Sequence, residues 1–232
     1  MSIVKIKSTD KYIDTSTLLQ QLVVIGSPFT LGLLEIWHPT GSPGQTAFEA
    51  ILPQVDWWLT LHILQLPLFG LMALSVVILV NNLQGWAARI SRVGIAFFIV
   101  FYTALDSITG IASGLLIRTA KELPPQVQTF VSQQVNLFLT DPIVGGATFS
   151  LVGILGALGW LVGVSAAAIA LRRVGVPRLP VVLLILSGVF FGLSHTPPTG
   201  PLGMGCFFLA VFLISFPEAK LKSIRLHKKG MQ

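Results

Sequence analysis

The stretch from Asp56 to Val80, DWWLTLHILQLPLFGLMALSVVILV, limits the chain more than any other feature. It exceeds the ~20 apolar residues that a helix needs to cross a bilayer. It contains no lysine or arginine and a single acid at its start. Yet it carries His62 less than two turns in, where an ionisable group is costly in lipid and usually has a role. Only 10% of the chain is charged and 53% is hydrophobic. Soluble domains carry about 25% charged residues, so the composition belongs to the membrane class.

Further apolar runs repeat the signal. The expected fold class is an all-α integral membrane protein, a six-span helix bundle with spans at about 18–37, 57–80, 93–117, 146–171, 179–195 and 201–216. Residues 1–17 form an N-terminal segment, 18–216 a single transmembrane domain and 217–232 a basic tail. Pro28 and Pro67 are expected to kink their spans, because proline removes a helix donor. Gly110 and Gly114 form a small-xxx-small pair that lets a neighbouring backbone approach. The fourth span carries Gly153, Gly156, Gly159 and Gly163, which predicts a central, closely packed helix. Residues 124–140 differ: Val127, Phe130, Val131, Val135 and Phe138 share one helical face with glutamines opposite. This pattern predicts an amphipathic helix along the membrane surface, suited to covering an outer cavity.

Basic residues give an orientation. The termini and the even-numbered connections hold Lys5, Lys7, Lys11, Arg89, Arg92, Arg172, Arg173, Arg178, Lys220, Lys222, Arg225, Lys228 and Lys229, against only Arg118 and Lys121 on the other side. The positive-inside rule then predicts both termini in the cytoplasm, with the cell membrane as the expected location. The net charge of +6 lies in short blocks between apolar runs, so nucleic acid is not an expected partner. The lipid bilayer is, and a homo-oligomer or a membrane-complex partner is compatible with the pattern. The N-terminus shows no cleavable signal pattern.

The acids and imidazoles gather on the other side. Glu35, His38, Asp56, His62 and His195 fall at the outer ends of three apolar runs, with Asp106 near a midplane. A bundle that brings these ends together forms one hollow, with Asp106 as its floor, His62 in its wall and Glu35, His38 and His195 at its rim. His38, His62 and His195 are the candidate metal ligands, and Asp106 and Glu35 the candidate ligands or general bases. Three imidazoles with one open position suit zinc hydrolysis chemistry, and imidazole also suits copper or a haem iron. The cofactor is left unassigned beyond a divalent metal.

Plainer readings stand beside these. Glu35 can reach the interface while His38 and His195 cap helix ends. Asp106, costing about 2.5–3.5 kcal/mol at a bilayer centre if unpaired, can bond to Thr103, Ser107 or Thr109. The single Cys206 excludes an internal disulfide and a multi-cysteine metal site. No G-x-S-x-G turn, P-loop or dinucleotide fingerprint is present. Three classes of function follow: a metal site opening outward, a proton-coupled small transporter using Asp106, and a non-catalytic membrane subunit or assembly factor whose polar groups fix helix packing.

Overall fold

The computed structural model describes residues 18–146 and 149–215, and among these it is all-helical. The segments 1–17 and 217–232 lie outside the described residues. Among the described residues the main helices are, in order, α1 Leu18–Ile36, α2 Ala47–Ile51, α3 Val55–Val80, α4 Trp86–Ala120, α5 Pro125–Thr140, α6 Leu151–Arg173, α7 Arg178–Leu193 and α8 Thr199–Ser215. The long helices α1, α3, α4 and α6 are long and apolar enough to cross a membrane. Helices α7 and α8 are equally apolar in character but shorter, at 16 and 17 residues.

The six apolar helices pack as a closed ring in the order α1, α3, α4, α6, α7, α8 and back to α1. The ring is filled by Phe69, Phe98, Trp160, Phe191 and Phe207, all nearly inaccessible. Glycine sets its tightest contact, between α4 and α6. A Cβ on Gly159 would stand 2.5 Å from the Phe98 backbone nitrogen, so no other residue fits without separating the helices. More of α6 is buried than of the other three long helices, as its glycines imply.

Several details differ from expectation. Helix α4 begins at Trp86, so the stretch containing Arg89 and Arg92 is helix and not connection. Arg92 is held there because its guanidinium donates to the carbonyls of Val80, Asn81 and Leu83 at the end of α3. Gly110 and Gly114 do not admit a backbone. They admit side chains of α3: His62 lies against Gly110, and Trp58 and Leu59 against Gly114. Pro28 follows a π-helical turn at Leu22–Gly26, which absorbs the mismatch that its missing N–H creates.

The amphipathic segment forms α5 as expected, and it packs onto α2 and the last turns of α4. Its Val135 and Leu139 join Phe48, Ile51, Val55, Trp58, Leu59, Ile117 and Ala120 in a second apolar cluster. That cluster caps one end of the ring. Helix α2 is short but firmly started: Thr46 and Glu49 bond reciprocally to each other's backbone N–H.

Candidate metal centre

The capped end of the ring holds the imidazoles. His38 follows the C-terminus of α1, His62 lies in the second turn of α3, and His195 opens the turn between α7 and α8. Three ring nitrogens, one from each, all lie within 4.8 Å of one another. The His38 ring makes edge contacts with His62 at 5.3 Å and with His195 at 5.0 Å between centroids. His38 and His62 are buried and His195 nearly so. Three separate chain segments therefore place imidazoles in one enclosed spot.

Backbone carbonyls fix two of the tautomers. His62 Nδ1 lies 2.7 Å from the Trp58 carbonyl, and His38 Nδ1 lies 3.0 Å from the Pro39 carbonyl. A carbonyl only accepts, so each Nδ1 carries the proton and each Nε2 keeps its lone pair. His38 Nε2 and His195 Nε2 are buried with no hydrogen-bond partner. Burial pushes the His38 imidazole down to about 4, against the opposing pull of the Pro39 carbonyl, so this ring is neutral at pH 7. Neutral imidazoles oriented by second hydrogen bonds are the form that binds a metal.

Two carboxylates accompany them. Asp106 Oδ1 stands 3.8 Å from His62 Nε2. Asp106 Oδ2 is buried and unpartnered. None of the neighbouring hydroxyls serves it: Thr109 donates to the Leu105 carbonyl and Thr103 has no partner. Glu35 is fully buried, with Oε1 accepting from Gln65 Nε2 at 2.6 Å and Oε2 unpartnered. Among the described residues no lysine or arginine is buried.

Glu35 is fully buried, and the His38 ring bonds the carbonyl of the following proline. Asp56 stays apart from the group. It is exposed in the first turn of α3 and pairs with Lys121 at 3.9 Å.

Local backbone geometry delivers Asp106. It starts a π-helical segment, Asp106–Ala112, inside α4. Such widened turns release carbonyls from the regular ladder and recur at functional sites. Here the Gly110 carbonyl accepts the Trp58 indole N–H at 2.7 Å. Trp58 also stacks on His62, with centroids 4.2 Å apart, and meets His38 edge-on at 5.3 Å. Read from the sequence alone, Trp58 has no role in the site. Its i, i+4 relation to His62 was the available signal.

A metal fits this donor set. Zinc–imidazole bonds of ~2.0–2.1 Å place tetrahedral ligand nitrogens about 3.3 Å apart. Nitrogens within 4.8 Å of each other reach that spacing by modest side-chain rotation. A haem fits poorly, since imidazoles in edge contact leave no slot for a planar macrocycle between them. No protein family, curated protein or solved structure matches the chain, so its function rests on the chemistry of this site.

Proposed function

We propose that the chain is a six-pass membrane protein that holds a divalent metal on His38, His62 and His195, for zinc-type hydrolysis at the outer face. Both termini lie in the cytoplasm on this reading, as the distribution of lysine and arginine requires. Helices α7 and α8 serve as the fifth and sixth spans, short enough to cross with little tilt.

One observation carries the proposal: three imidazoles from separate segments meet in one buried spot, with Asp106 beside His62 and no buried lysine or arginine among the described residues. Ionised acids in such a place need compensation, because the cost of burying an unpaired charge is several kcal/mol. A divalent cation would sit on the neutral histidines and use the unpartnered Nε2 atoms of His38 and His195. Such an ion would supply a bound water of raised acidity. Asp106, 3.8 Å from His62 Nε2, would be the group placed to take that water's proton.

Metal analysis of the purified protein and of His62→Ala tests the reading. One equivalent of metal, lost in the variant, is the expected result. No metal, with Asp106→Asn lowering only stability, replaces it with a packing role. A pH-dependent flux abolished by Asp106→Asn replaces it with transport. Accessibility of tags at the two termini tests the topology separately.

A further inference from the structure

The face that α4 and α6 share carries a groove, toward the end of the ring away from the histidines. We propose that this groove binds a phospholipid with an anionic headgroup, one acyl chain lying between the two helices and the phosphate on Arg89 and Arg173. Such binding requires the bundle to stand in a bilayer and is independent of the metal site.

Glycine makes the groove. Gly94 and Gly159 lie where α4 meets α6, and a Cβ on Gly94 would stand 2.7 Å from the Gly163 backbone nitrogen. With no side chains there the floor is low. Val93 and Phe97 rise on the α4 side and Leu158 and Val162 on the α6 side, all exposed. The groove holds about 360 Å³, and the surface it presents is apolar. On α4 it runs from Arg89 to Phe97, about 12 Å at ~1.5 Å per residue. One leaflet is about 15 Å deep, half of the hydrocarbon core. The groove therefore suits one acyl chain within one leaflet.

Charge stands at one end of it. Arg89 is exposed there, and among the described residues its guanidinium has no hydrogen-bond or ion-pair partner. Other arginines at this end are tied down: Arg92 donates to carbonyls of α3, and Arg172 to that of Val176. One turn before Arg89, on the same face of α4, is Trp86, half exposed with Arg173 over its ring at 4.5 Å. Tryptophan at a helix end marks the headgroup level. Two guanidinium groups thus stand at headgroup depth above an apolar slot, and guanidinium matches the geometry of phosphate. The described acids, Glu35, Glu49, Asp56, Asp106, Glu122 and Asp141, all lie toward the other end of the bundle and do not compete for these arginines. A second copy of the chain, inserted in the same orientation, would bring its own basic end against Arg89. A phospholipid brings a phosphate.

Native mass spectrometry of the full chain in a neutral detergent, with phosphatidylglycerol or phosphatidylcholine of the same acyl chains, tests the site. One phosphatidylglycerol should bind about fivefold to tenfold tighter than phosphatidylcholine. Arg89→Gln should remove most of that preference. Leu158→Trp, which fills the groove, should weaken the binding of both lipids. Both positions are exposed, so neither change disturbs the packing inside the ring. Equal binding of the two lipids, or a preference that survives both variants, overturns the proposal. Cross-linking between Val93→Cys chains in vesicles, in a Cys206→Ser background, also overturns it, because a second copy then occupies the groove. Metal content measured on the same samples should be unchanged in both variants, so the lipid site and the metal reading fail separately.

Discussion

Trp58 holds His62 from two sides: its carbonyl accepts the Nδ1 proton at 2.7 Å, and its indole lies on the imidazole with centroids 4.2 Å apart. The same indole N–H ties down the Gly110 carbonyl, in the π-helical segment that carries Asp106. One residue thus orients a candidate metal ligand and the acid next to it. Replacing Trp58 with phenylalanine keeps an aromatic ring but loses the indole donor. Metal affinity should fall by about 10–100-fold, the usual cost of disturbing groups behind metal ligands. Stability should fall by about 1–3 kcal/mol because a buried carbonyl loses its partner. Competition with a chelator measures the first, and thermal unfolding in detergent the second.

Gly110 makes room for the imidazole. A methyl group there would overlap the His62 ring. Gly110→Ala therefore pushes His62 away from His38 and His195, or separates α3 from α4. The variant should retain its helical circular dichroism and lose metal stoichiometry. Gly114→Ala offers a contrast, since its methyl would stand 2.7 Å from Trp58 and Leu59 atoms and touch no ligand directly. Its main effect should be on stability.

How much of this was legible in the sequence depends on the range of the interaction. The apolar runs and the helix at 125–140 follow from local periodicity, although α4 begins at Trp86 where the expected span began at 93, and α6 at Leu151 where it began at 146. Three histidines far apart in sequence meet because the ring closes with α8 against α1, which no local pattern states. The bond between Gln65 and Glu35 is of the same kind, although His62 and Gln65 visibly share a face of α3. The π-helical segment has no local pattern that announces it, and the contact its Gly110 carbonyl makes with Trp58 is tertiary. The capping pair Thr46 and Glu49 is readable in the sequence, and it starts α2.

The low position of His38 gives a pH signature in metal-free protein. Its folded value is about 4 and its ordinary value about 6.5. Between these the unfolded chain binds the proton and the folded chain does not. Stability therefore falls as pH drops through about 6.5, and the loss is complete near 4. For this residue it amounts to about 3 kcal/mol. His38→Asn should show a flatter dependence of melting temperature between pH 7.5 and pH 5 in the presence of a chelator. Equal slopes for both proteins would mean that His38 is not held neutral by burial.

The two carboxylates provide the sharpest separation between a functional site and a packing device. If Asp106 and Glu35 served to hold helices together, removing their charge would weaken the bundle. In the structure each keeps an oxygen that nothing satisfies, and no basic side chain approaches. On the proposed metal reading they weigh on the fold when no metal is bound, a pattern of sites kept for binding at the expense of stability. Asp106→Asn and Glu35→Gln should each raise the melting temperature of metal-free protein, by the equivalent of about 0.5–2 kcal/mol. Each should also reduce the stabilisation that added metal gives, because binding stabilises a fold by an amount that grows with affinity. The signs are therefore opposite in the two conditions. Melting curves with chelator and with zinc, recorded side by side, measure both, and a loss of stability in both would assign the acids to packing.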